Sequence, residues 1–113
     1  MRMPKSDAAA VLARLYALIL SRLDADPEQS YVARLYARGR VKIAQKLGEE
    51  AVETALAAAA GTREEIIDES ADLLFHLLVL WADAGIAPKD VYARLAMREG
   101  VSGLSEKAAR KRL

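Results

Sequence analysis

Glu49, Glu50 and Glu53, followed after fifteen intervening residues by Glu69 and Asp72, are the side chains whose types and spacing point to chemistry. Residues three and four apart on a helix share a face, so each group stacks like charges that repel by roughly a few tenths of a kcal/mol per pair. A cation between the two groups relieves that repulsion. Asp72 also abuts the apolar run Leu73 to Ala82, broken only by His76, and an unpaired carboxylate is costly beside such a run. Glu65, four residues before Glu69, is placed to close the cage. An all-oxygen ligand set suits Mg²⁺ or Mn²⁺. Di-iron bundles need Glu-x-x-His on two helices, and the single histidine of this chain rules that out in its usual form. The competing bland account is a pair of solvated acidic faces, with Glu65 and Asp68 near a helix start favoured by the macrodipole alone.

Lys42 and Lys46 precede the carboxylates by one and two turns. At about 100° per residue they share the carboxylate face of their helix, lysines first and acids after, and a second stripe carries Ile43, Leu47, Ala51 and Ala55. Lysines beside a metal can clamp phosphate, the division of labour found in phosphoryl transfer. The plainer alternative is helix pairing of Lys46 with Glu50. His76 lies one turn past Asp72, placed to orient that carboxylate or to move a proton; flanked by Phe75 and Leu77, it reads first as a satisfied core residue. Trp81 and the tyrosines at 16, 31, 36 and 92 read as core or interface, with base stacking the lesser reading.

These residues need helices to hold them, and the composition supplies helix formers. Of 113 residues 53% are hydrophobic, much of that alanine, and only 5% are aromatic. Alanine and leucine with Glu, Lys and Arg favour helix. The length suits one domain spanning residues 1–113. The expected fold is all-α, a bundle of four to five helices. Ser6 or Asp7 can cap a first helix reaching about Leu23, with Val11, Leu12, Leu15, Tyr16, Leu18 and Ile19 at helical steps. Ser30 caps a second, Tyr31 to Arg38, closed by Gly39 in a left-handed cap position, with Tyr31, Val32, Leu35 and Tyr36 as its apolar face. The third runs from about Arg40 to Ala60 and stops at Gly61. Thr62 with Glu65 forms a capping-box pattern opening a fourth helix to about Ala84. That helix is apolar nearly all round beyond Leu73, which places it in the middle of a bundle or at a subunit contact, with its acidic half pointing inward too. Pro88 opens a fifth helix to about Arg98, ended by Gly100, and Ser105 can start a short basic one.

Seventeen basic and sixteen acidic residues leave a net charge of +1, which argues against a nucleic-acid partner attracted by the whole field. Without cysteine there is no disulfide and no thiolate chemistry, in keeping with a cytoplasmic protein. No apolar run approaches the ~20 residues a membrane span needs, and the start lacks the pattern of a signal peptide. No membrane partner is expected.

The acidic pattern Glu49-Glu50-x-x-Glu53…Glu69-x-x-Asp72 resembles the metal signature of the MazG-like all-α nucleotide pyrophosphohydrolases. Ser30-Tyr31, the run from Gly39 to Glu53, Asp72-Leu-Leu-Phe-His-Leu77 and Arg98-Glu-Gly-Val-Ser-Gly-Leu-Ser-Glu-Lys107 resemble, more narrowly, the phosphoribosyl-ATP pyrophosphohydrolase family of histidine biosynthesis. Phe75 stands where that family leads one to expect tyrosine, Ser70 where alanine is common, and Arg34 and Arg38 where lysines are frequent.

The resemblance implies hydrolysis of phosphoribosyl-ATP to phosphoribosyl-AMP and pyrophosphate with Mg²⁺, or Mn²⁺, as cofactor. It implies Glu50, Glu53, Glu69 and Asp72 as metal ligands, with Glu49 behind them or orienting the attacking water. Lys42 and Lys46 would grip phosphate, and Arg98, Ser102 and Lys107 would approach the nucleotide or a partner subunit. A homodimer is expected because one short chain offers limited cover for the fourth helix. The rival readings are a house-cleaning pyrophosphohydrolase acting on free nucleotides and a non-catalytic helical dimerisation module.

Overall fold

A computed structural model describes residues 7–99, which form five α-helices and no strand. They are α1 (Ala8–Arg22), α2 (Tyr31–Arg38), α3 (Arg40–Ala60), α4 (Arg63–Ala84) and α5 (Pro88–Ala96). The expected Gly100 stop, the helix from Ser105, Ser102 and Lys107 lie outside the described residues.

Helix boundaries follow the local capping chemistry. The Asp7 carboxylate accepts from the amides of Ala9 and Ala10 at 3.1 and 3.4 Å and caps α1; Ser6 lies outside the described residues. Ser30 Oγ accepts from the Ala33 amide at 3.2 Å to open α2. At Thr62 both halves of the capping box form: the Glu65 amide donates to Thr62 Oγ1 at 3.2 Å, and the Thr62 amide to Glu65 Oε1 at 2.7 Å. Gly39 has positive φ as expected, but with φ 94° and ψ 172° it is extended, not left-handed helical. That region is open essentially to glycine alone, and it lets one residue both close α2 and open α3. Helix α5 stops at Ala96, short of the expected Arg98.

The two longest helices, α3 and α4, fold back on each other through Gly61 and Thr62 alone. Helices α1 and α2 pack over one end of this hairpin, and α5 lies against α1. There the core gathers Ile19, Val32, Leu35, Ile43, Leu78, Val79 and Ala82, with Leu12, Leu15, Tyr16, Phe75 and Trp81 around it. Two polar clasps hold this end. Arg40 Nε donates to Asp83 at 2.6 Å, and the Tyr16 hydroxyl to the Ile86 carbonyl at 2.8 Å.

The outer half of the hairpin is different: between residues 44 and 75 no side chain is buried. Ala51 and Ala55 of the expected second stripe are exposed there. So is Leu74, on the helix expected to be covered on every side. The stripe is covered at its start, where Ile43 is buried and Leu47 half-buried, and bare at Ala51 and Ala55. No single described helix is long and apolar enough to cross a membrane; the α4 and α5 pair meets that test together, but with a 112° bend.

Candidate metal centre

The carboxylates gather where the packed end of the hairpin gives way to the open one. Facing positions of α3 and α4 bring one carboxylate oxygen each from Glu50, Glu69 and Asp72 within 4.8 Å of one another. Glu50 and Glu69 are half-buried and Asp72 is exposed, so the inward turn expected of the acidic half of α4 is made by Glu69. Glu50 Oε2 and Glu69 Oε2 are sealed from solvent and meet no hydrogen-bond partner. Burial raises the Glu50 carboxyl above its ordinary value, and the charges of Glu53 and Asp72 add to the effect. Glu69 is raised too, first by burial and then by Glu53, which lies within hydrogen-bonding reach. All four expected ligands therefore converge, three as a tight group and Glu53 at its side.

This donor set fits a hard divalent cation. It is all oxygen and anionic, and two of its atoms are buried without partners, an arrangement expensive for the protein unless a positive charge completes it.

Glu49 and Glu65 are directed elsewhere. Glu49 is exposed, accepting from Gln45 Nε2 at 2.9 Å and Lys46 Nζ at 3.0 Å. These two contacts hold its carboxyl below the usual range, and the bond to Glu49 in turn raises the Lys46 ammonium. Lys46 thus pairs with Glu49, not with Glu50 as the helix spacing suggested: at three residues the shorter arc brings the ammonium to the exposed acid, while Glu50 turns inward. Lys42 is half-buried and close enough to Glu49 to lower it further. Glu65 is occupied in the cap of its own helix. Beside the centre opens a hollow of about 390 Å³ floored by Leu56, Ala57 and Ala60 and edged by Glu53, Glu65 and Glu69.

His76 is buried, and both ring nitrogens are engaged. Nδ1 lies 2.8 Å from the backbone carbonyl of Asp72, and Nε2 lies 2.8 Å from the Tyr31 hydroxyl. A carbonyl only accepts, so Nδ1 carries the proton, and in the neutral ring Nε2 accepts from Tyr31. His76 therefore steadies the backbone of Asp72 and not its carboxylate. Tyr31 and Phe75 meet its ring edge-on at 5.7 and 5.4 Å. Burial raises the Tyr31 hydroxyl, Lys46 opposes, and the acids of the centre reinforce. Tyr31 thus lies within the field of the site, a placement that the reading of the tyrosines as core or interface missed.

Thr54 was also missed. Its hydroxyl sits 2.7 Å from the Glu50 carbonyl and 3.1 Å from the Glu69 carbonyl. The available signal was one hydroxyl in an alanine-rich stretch, a turn after Glu50. Arg98 is exposed just past α5, its amide donating to the Leu95 carbonyl; Lys107 lies outside the described residues.

Fold and site together define an all-α protein with a carboxylate centre set between the two longest helices. The model of the phosphoribosyl-ATP pyrophosphohydrolase family matches residues 12–99. A phosphoribosyl-ATP pyrophosphatase of Azospirillum brasilense is 60% identical over 104 residues, 92% of this chain and 94% of that protein. Proteins of the same name from Gluconobacter oxydans and Paramagnetospirillum magneticum are 59% and 57% identical, each over 88% of this chain and over 75% and 92% of their own lengths. The chain belongs to the phosphoribosyl-ATP pyrophosphohydrolase family.

Proposed function

We propose that this chain hydrolyses phosphoribosyl-ATP to phosphoribosyl-AMP and pyrophosphate at the α3–α4 carboxylate centre, with Mg²⁺ or Mn²⁺ held by Glu50, Glu53, Glu69 and Asp72. The observation that carries the site is the trio Glu50, Glu69 and Asp72 within 4.8 Å, with two buried oxygens unpartnered. Bound there, a divalent cation supplies Lewis-acid polarisation of phosphoryl oxygens and lowers the pKa of water, so no covalent nucleophile is needed. The protein's own part is positional. Glu50 and Glu69 present preset oxygens, Glu53 adds a third carboxyl beside them, and the His76 contact holds the Asp72 turn. Lys46 lies within the field of Glu50 in a partly exposed pair with Glu49, a pair cheap to exchange for a phosphate oxygen. Lys42 stands one turn earlier. Glu49 then acts on Lys46, keeping the ammonium beside the centre. The compartment is the cytoplasm, since a polyphosphorylated nucleotide does not cross membranes unaided.

Turnover of phosphoribosyl-ATP measured beside ordinary and noncanonical nucleoside triphosphates, with Mg²⁺, tests the substrate. A clear preference for the triphosphates would defeat the reading. Glu53→Gln should lower turnover by about a hundredfold or more with helical content intact, as expected for the loss of a ligand; near wild-type turnover would remove Glu53 from the centre.

A further inference from the structure

We propose that Thr54 is a positioning residue of the metal centre, its hydroxyl setting the separation of the two helices at the level of Glu50 and Glu69. The inference rests on the reading of Glu50 and Glu69 as ligands. Thr54 Oγ1 lies 2.7 Å from the carbonyl of Glu50 in its own helix and 3.1 Å from the carbonyl of Glu69 across the hairpin. The first contact is the ordinary bond of a helical threonine to the turn before it. The second leaves the helix and lands on the backbone of the residue whose carboxylate must meet that of Glu50.

Both partners are acceptors, and a hydroxyl has one proton. The proton is therefore shared between the two carbonyls, and with the hydroxyl held by Glu50 of its own helix, a widening of the helix separation at this level lengthens the contact to Glu69. Little else ties the helices here. Among the described residues, the other α3 side chain that donates a hydrogen bond to α4 is Arg40, at the packed end; the approach of the Glu53 carboxyl to that of Glu69 sets like charges against each other, and no buried side chain lies between residues 44 and 75. Ligand oxygens must meet a cation at nearly fixed distances, so a tie at the ligands' own backbone acts directly on affinity.

The test is Mn²⁺ titration of the full chain by calorimetry, with circular dichroism and melting of the metal-free protein, for wild type, Thr54→Val and Thr54→Ser. Thr54→Val should bind Mn²⁺ about tenfold more weakly, the scale of losing a partner that orients a ligand, while its helical signal stays the same. Thr54→Ser, which keeps the hydroxyl, should restore the affinity. Wild-type affinity in Thr54→Val overturns the proposal, even with a lowered melting temperature, because the role is then structural only. So does a Thr54→Ser as weak as Thr54→Val, since the methyl is then what matters. Should Thr54→Val fail to fold, Thr54→Ala read against Thr54→Ser decides by the same criterion. Failure of wild type to bind Mn²⁺ overturns the metal centre itself and this inference with it, whereas binding unaffected by Thr54→Val overturns the inference alone.

Discussion

Glu50 and Glu69 sit where ionisation works against the metal-free fold, since burial and neighbouring acids raise both carboxyls above the usual 4.5. The sign follows from linkage. Above 4.5 the unfolded chain releases these protons first, so the native state binds more protons and stability declines as pH rises through the raised values. Metal-free Glu50→Gln and Glu69→Gln should therefore melt higher than wild type near neutral pH, with the advantage vanishing below pH 4.5. Melts in chelator across that range check this, and Mg²⁺ should stabilise wild type and not the variants, because a ligand of the folded state raises apparent stability. At Lys46, alanine should raise KM by about tenfold, the scale of one charge-assisted hydrogen bond, with little change in melting because the pair with Glu49 is exposed. Steady-state kinetics of Lys46→Ala decide it, and an unchanged KM would take Lys46 out of phosphate binding.

The α3–α4 hairpin depends on a tight link. A Cβ on Gly61 would come within 2.8 Å of Glu65 Oε1 and 2.9 Å of the Ala57 carbonyl. That Glu65 oxygen is also the one that caps Thr62. Gly61→Ala should therefore displace half of the capping box and cost about 1–2 kcal/mol, read as a lower denaturant midpoint with unchanged slope. The capping box was legible in sequence because its chemistry is local: Thr62 and Glu65 need only each other. The caps at Ser30 and Asp7 were legible for the same reason. The convergence of Glu50, Glu69 and Asp72 was legible because helical spacing places each run on one face. The direction of Glu49 was not, since Glu49 and Glu50 are adjacent and competition between Gln45, Lys46 and the facing helix decides which turns in. Thr54 stayed hidden because its second contact is made across the hairpin, and no local pattern encodes that.

For the whole molecule, we propose that the homodimer expected from the sequence forms on the uncovered outer hairpin. Val52 and Leu56 on α3 are 59% and 63% exposed, and Ile67 and Leu74 on α4 are 45% and 49% exposed. Apolar side chains at this density on neighbouring helices mark contact surfaces, and a second copy meeting them by two-fold symmetry would cover both hairpins alike. Sedimentation at micromolar concentration should show a dimer, and Leu74→Glu should shift it toward monomer. A stable wild-type monomer would remove the claim. Sequence periodicity could state that α4 needs neighbours on several sides; it could not state which half of the hairpin goes without them, because that depends on where α1 and α2 settle.

The two-residue link between α3 and α4 also bears on the order of events as the chain folds. All four carboxylates of the centre lie within residues 50–72, on helices joined by Gly61 and Thr62, so bringing them together closes only a short loop. Contacts of such small sequence separation form quickly, whereas the docking of α1 against α4 must wait for distant segments to meet. The chemistry of this protein is thus placed on the part of the chain that gathers fastest, and its cation-binding oxygens come together without help from the slowest step of folding.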